Sequence, residues 1–175
     1  GATTGGALQA TDKTFANITE CTFHENHAFT QGGAVSTGVS AELHFTTCGF
    51  ADNQVTANAG GAVFEQDHAK STYTNCTFDS NRALIGGALS SGASAGPVLV
   101  GCTFRKNRAA TYGGAMALNQ VSTARLENII CVENGGCEYG GCLGIAEDAS
   151  VRVRGLSASN NDASRGGGGL AALEK

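Results

Sequence analysis

The sequence predicts an all-β protein: a right-handed single-stranded parallel β-helix (β-solenoid) with about 27 residues per coil and six to seven coils. Two phrases predict it. The first is a double glycine, in Gly5-Gly6-Ala7-Leu8, Gly32-Gly33-Ala34-Val35, Gly60-Gly61-Ala62-Val63, Gly86-Gly87-Ala88-Leu89, Gly113-Gly114-Ala115-Met116, Gly140-Gly141-Cys142-Leu143 and Gly167-Gly168-Gly169-Leu170. Successive copies lie 27, 28, 26, 27, 27 and 27 residues apart. The second keeps the same beat as Phe23-x-x-Asn26, Phe50-x-x-Asn53, Phe78-x-x-Asn81 and Phe104-x-x-Asn107, and continues, degraded, to Asn134 and Asn161. Two phrases locked in one register at this period specify stacked repeats.

Within a coil, alignment on Cys-Thr-Phe separates inward from outward positions. Cys21, Cys48, Cys76, Cys102, Ile129 and Leu156 form the anchor column, and Phe23, Phe50, Phe78, Phe104, Cys131 and Ala158 follow two residues on. Three residues before the anchor lie Ile18, Phe45, Tyr73, Leu99, Leu126 and Val153, and five before it Ala16, Leu43, Ser71, Pro97, Ala124 and Val151. Steps of two place side chains on one face of a strand, whereas the odd step between −3 and the anchor requires a bend. The interleaved Glu42, His44, Thr46, Arg152 and Arg154 are polar, as strand alternation demands. The run after the double glycine supplies a further strand through Val35, Val63, Leu89, Met116, Leu143 and Leu170. Equivalent strands stacked about 4.8 Å apart give a rod on the order of 30 Å long. A propeller blade needs about 40 residues, and the glycine density excludes helical repeats.

The recurring residues have structural roles in this reading. Asn26, Asn53, Asn81, Asn107, Asn134 and Asn161 should form an amide ladder at one corner, since Asn tolerates a left-handed backbone and its amide bonds to the next coil. The double glycine permits positive φ or close backbone approach where the chain enters a strand.

Composition narrows the functional classes. The 175 residues include 26 Gly, one Pro and 15% charged residues. Periodic glycines with apolar residues between them argue against a disordered linker. A net charge of −4 leaves no basic footprint for nucleic acid, and no run of about 18 apolar residues suggests a membrane span. Residues 1–175 read as a single solenoid. The opening at Gly1 inside a repeat and the final phrase cut short by Lys175 predict an excerpt of a longer repeat protein.

The pairing of Gly-Gly-Ala-(Ile/Leu/Val) with Phe-x-x-Asn resembles the repeat of chlamydial polymorphic outer membrane proteins (Pmp-like repeats). Five full copies of the first phrase and four of the second carry the resemblance across nearly the whole chain. It implies surface display and adhesion. It implies no catalytic residues, because the matched positions are structural. The C-terminal membrane barrel of that family has no counterpart here.

Seven cysteines divide into two groups. Cys21, Cys48, Cys76 and Cys102 are expected as a buried column of free thiols. Cys131, Cys137 and Cys142 crowd into one coil, where a disulfide from Cys137 to Cys131 or to Cys142 would suit an oxidising compartment. Asn17-Ile18-Thr19 and Asn75-Cys76-Thr77 fit the N-glycosylation acceptor pattern at Asn17 and Asn75. Charged groups at Asp52, Asp79, Arg105 and Lys106, at Arg82 and Arg108, and at a tip of Glu65, Asp67 and His68 form no recurring catalytic pair. Ranks of outward Thr are broken by Gly49.

The functional expectation is a non-enzymatic extracellular or cell-surface solenoid, structural or adhesive: a spacer, an adhesin passenger segment or a filament subunit. No catalytic residue, metal or cofactor is expected. Its partners would be other subunits or continuing coils of its own chain at the solenoid ends, with surface glycans or a host receptor alongside. The alternative is a carbohydrate-active β-helix enzyme, a polysaccharide lyase or glycoside hydrolase, with clustered carboxylates in a cleft.

Overall fold

The computed structural model describes residues 2–173, and every regular element in them is a β-strand. No helix among the described residues is long and apolar enough to cross a membrane. Each strand pairs in parallel with its equivalent one coil away. Phe23 thus lies opposite Phe50, Phe50 opposite Phe78, Phe78 opposite Phe104, and Phe104 opposite Cys131.

Three walls enclose the core. One holds the strands after the double glycine, from Leu8–Ala10 through Val35–Thr37, Val63–Glu65, Leu89–Ser91, Met116–Leu118 and Leu143–Ile145 to Leu170–Ala172. The second holds the strands on either side of the anchor column, which merge into single runs at Thr123–Val132 and Ser150–Ser159. The third is built from Ala2–Thr4, His27–Gln31, Gln54–Val55, Arg82–Ile85 and Arg108–Tyr112.

The corners are made by left-handed residues. The bend required before the anchor is supplied by Glu20, Thr47, Asn75, Gly101, Asn128 and Gly155, all at positive φ. Between the first and second walls two consecutive residues are left-handed, such as Val39 (φ 48°) and Ser40 (φ 60°), and Ala41 N–H closes the turn on Gly38 O at 3.1 Å. At the double glycine the first residue is left-handed, as in Gly60 (φ 70°). A Cβ on the second, Gly61, would strike the carbonyl oxygen of Gly87 in the next coil.

The asparagine ladder forms, but its corner works differently from the sequence expectation. The left-handed residues are those just before each Asn: Glu25, Asp52, Ser80, Lys106, Glu133 and Asn160. The Asn side chain instead ties three coils together. Asn53 donates its backbone N–H and its Nδ2 to Asn81 Oδ1 at 3.0 and 2.9 Å, and Nδ2 also donates to Phe23 O at 2.9 Å. The pattern runs unbroken from Asn26 to Asn161, and Asn53, Asn81, Asn107 and Asn134 are wholly buried. A buried amide left unmatched is costly, so each rung fixes its neighbour's register.

The core is a stack of rings. Phe23, Phe50, Phe78 and Phe104 lie nearly parallel with centroids 4.9, 4.7 and 4.5 Å apart. Phe45 and Tyr73 form a second stack at 5.1 Å that meets the first edge-on. Cys48, Cys76 and Cys102 are buried as expected, but Cys21 is exposed. It is the first rung of its column, with Cys48 on one side and no preceding rung among the described residues.

Candidate functional site

The three crowded cysteines resolve differently from expectation. Cys131 and Cys142 form a disulfide with Cα atoms 5.8 Å apart, while Cys137 remains a free thiol. Cys131 occupies the column of core phenylalanines and Cys142 the alanine position of the double-glycine phrase, so the two face each other across the core from different walls. A Phe and an Ala fill that space in earlier coils; here two sulfurs bridge it. Cys137 sits on the third wall, bridged in backbone to Ala163, with Sγ 3.7 Å from Asp162 O. Burial pushes its thiol pKa up. In the thiol column, Cys102 is held above its usual range by its hydrogen bond with Cys76 and by burial.

Four of the charged residues singled out in sequence, Asp52, Asp79, Arg105 and Arg108, are taken up in pairs between coils. Arg105 Nη2 lies 2.5 Å from Asp79 Oδ2, Arg108 Nη1 2.8 Å from Asp162 Oδ1, and His24 Nε2 3.4 Å from Asp52 Oδ2. Partial burial pushes the Asp79 carboxyl up, but its bonds to Arg105 and Ser80 outweigh that and the net shift is downward. Asn17 and Asn75 are both exposed, Asn17 mid-strand and Asn75 at a left-handed bend.

Glu65 is not part of a surface tip with Asp67 and His68. It is fully buried, because the strand Val63–Glu65 turns Val63 and Glu65 inward and Phe64 outward. Tyr73 donates its hydroxyl to Glu65 Oε1 at 2.5 Å; Oε2 has no partner. Loss of hydration raises the Glu65 pKa to about 7, against partial lowering by Tyr73 and Ser71.

A groove on the outside of the double-glycine wall is the feature that periodicity conceals. Its volume is about 420 Å³. One side is the ladder Gln31, Ala59, Ile85 and Tyr112, whose members pair in sequence from coil to coil. The opposite side carries Gln66, Asn119, Gln120 and Glu147. Phe64 lies between them, flanked in register by Ser36 and Ser90, which are buried although their strand face points outward. Asn119 Nδ2 donates to Tyr112 Oη at 2.8 Å, fixing the ring across the groove. Burial, with nearby Glu147, raises the Tyr112 hydroxyl pKa despite the Asn119 bond. Three coil steps from Gln31 to Tyr112 correspond to about 14 Å of groove.

The sequence did hold a signal for this groove. The residue before each double glycine varies from Gln31 through Ala59 and Ile85 to Tyr112, while the glycine column that follows it is uniform. Variation inside a regular repeat marks a surface that differs from coil to coil.

No curated protein and no solved structure matches the chain. The family model described as a right handed beta helix region matches residues 5–174. That match covers nearly the whole sequence and agrees with parallel coils stacked at the observed period, so the chain belongs to the right-handed β-helix family.

Proposed function

We propose that the protein is a non-enzymatic, extracellular or cell-surface solenoid that holds a partner along its flank, as a structural and adhesive module. The groove carries this reading, because four of its five amide side chains are not used by the fold. Gln31, Asn58, Gln66 and Gln120 make no side-chain hydrogen bond among the described residues. The buried asparagines of the repeat are matched in a ladder, whereas these amides line an outer wall. The groove's chemistry suits holding better than cleaving, since hydrolysis of a glycosidic bond uses two facing carboxylic groups and Glu147 is the carboxylate that lines it. The Cys131–Cys142 bridge supports an oxidising compartment. The likeness to Pmp-like repeats supports surface display. Half-buried apolar rungs of the outermost described coils, Ile18 and Phe23 at one end and Val153 and Leu156 at the other, would be covered by further coils of this chain or of another subunit.

Beads coated with the protein should adhere saturably to intact cells or extracellular matrix, and soluble protein should compete them off. Retention no better than on albumin-coated beads would refute the adhesive reading. Release of reducing or unsaturated sugar ends from a polysaccharide panel, lost in Glu147→Gln, would refute the non-enzymatic one.

A further inference from the structure

We propose that Thr72 is a site of covalent O-acylation, with His44 as its general base and Glu42 as the group that orients His44. The three share the outer face of the second wall, Glu42 and His44 on the strand Glu42–Thr46 and Thr72 on the strand Thr72–Thr74 of the next coil. Register sets Thr72 directly opposite His44. His44 Nδ1 is 2.7 Å from Thr72 Oγ1, and Nε2 is 3.2 Å from Glu42 Oε1. A carboxylate oxygen beside Nε2 favours the tautomer with its proton there, which leaves the Nδ1 lone pair to accept from the Thr72 hydroxyl. Phe15 meets the imidazole edge-on from the preceding coil, with ring centroids 5.2 Å apart, and holds it in place. A hydroxyl within reach of a base that a third group orients is the arrangement that activates a nucleophile. Among the described residues, no other histidine has a hydroxyl at one ring nitrogen and a carboxylate at the other.

The surroundings define what this hydroxyl takes. Lys70 stands two positions before Thr72 on the same outward face and in the column of Glu42. It forms no ion pair among the described residues, and its ammonium is free to stabilise the oxyanion that forms when Thr72 adds to a carbonyl. On the far side Thr72 faces Val98, at the edge of a hollow of about 640 Å³ that begins at Gly96. An acyl group on Thr72 would lie over Val98. In the step, Thr72 Oγ1 attacks the carbonyl carbon of an acyl thioester, and the ester C–O bond forms as the C–S bond breaks. The hydroxyl proton passes to His44 Nδ1 and then to the departing thiolate, which leaves as a free thiol. The strand of Thr72 is paired on both sides, so its backbone N–H groups offer no second donor to the oxyanion. A thioester is reactive enough to transfer with Lys70 alone, whereas the threonine ester it yields is far less reactive and persists. The chain is an acyl acceptor modified once, not a catalyst that turns over.

The test incubates the folded protein with phenyl thioacetate and follows acetylation of the tryptic peptide Ser71–Arg82, which excludes Lys70, by mass spectrometry. The acetyl group should sit on Thr72 and be removed by hydroxylamine, as esters are. His44→Gln should slow labelling at least about a hundredfold, for the loss of a general base. Thr72→Val should abolish it and Thr72→Ser should retain it. Glu42→Ala should slow it about tenfold, for the loss of one polar contact in the transition state, and Glu42→Gln by less, because an oxygen remains beside Nε2. The parent chain unfolded in urea should label no faster than His44→Gln, which separates the folded relay from ordinary threonine reactivity. Absence of label, equal labelling of parent and His44→Gln, or label on Lys70 or another hydroxyl instead of Thr72 would each overturn the assignment. Continued release of acetate that is lost in Thr72→Val would overturn the persistent ester.

Discussion

Replacing Glu65 with Gln should stabilise the protein at neutral pH and leave it little changed in acid. In the folded chain the Glu65 carboxyl is wholly buried, with one oxygen bonded to Tyr73 and the other unmatched. Its pKa is raised from 4.5 to about 7, first by loss of hydration. A carboxyl whose folded pKa lies above its unfolded one gives stability that is complete below pH 4.5 and lost as pH rises through about 7. That rise corresponds to about 3 kcal/mol over that window. Tyr73 stays protonated throughout, because burial and then Glu65 hold its phenol well above the usual range. A Gln at this position can accept from Tyr73 and donate towards Ser71 without ever ionising. The assay is urea unfolding of the parent and the Glu65→Gln variant at intervals from pH 4 to 9. Subtracting one profile from the other cancels the histidines and surface carboxylates. The difference should grow with pH in favour of the variant and level off above about pH 7.5. A pH-independent difference, or one growing towards acid, would refute the reasoning.

The amide ladder makes a second prediction. Asn81→Ala strands the backbone N–H and Nδ2 of Asn53 and the carbonyl of Phe50, and should cost about 3–5 kcal/mol by chemical denaturation; Asn81→Asp should cost more, by setting a carboxylate against Phe50 O and Asn107 Oδ1. The Cys131–Cys142 bridge closes an 11-residue separation, so reducing it should cost about 2.8 kcal/mol, and alkylation of the denatured but unreduced chain should leave only these two of the seven cysteines unmodified. The variant Cys131→Phe/Cys142→Ala, which restores the pattern of the earlier coils, should show no response to reductant. Val39 and Val121 are β-branched residues held left-handed on exposed corners, so Val39→Asn or Val121→Asn should each raise stability by about 1 kcal/mol, read as a higher thermal midpoint.

Much of the fold was legible because a solenoid writes its tertiary contacts into a period. A residue's neighbours in space are its equivalents about 27 positions away, so the alignment that revealed the columns of Phe and Asn also revealed the stacking partners Phe50–Phe78 and Asn81–Asn107. The odd step before each anchor was legible for the same reason, and it appears as one left-handed residue per coil. The corner conformation was misassigned by one position, because Asn is a common left-handed residue and its side-chain bonds to two other coils were not visible locally.

By itself the sequence determined the period, the walls' inward columns and the resulting rod. These follow from repetition and alternation, which are properties of the chain alone. Only the tertiary structure decided which side chains meet across the core or across a corner. The pairing of Cys131 with Cys142, the inward turn of Glu65 towards Tyr73 and the groove between Gln31 and Gln66 join different walls of the solenoid. Such contacts depend on how sharply each corner turns, and no column of equivalent residues records that angle.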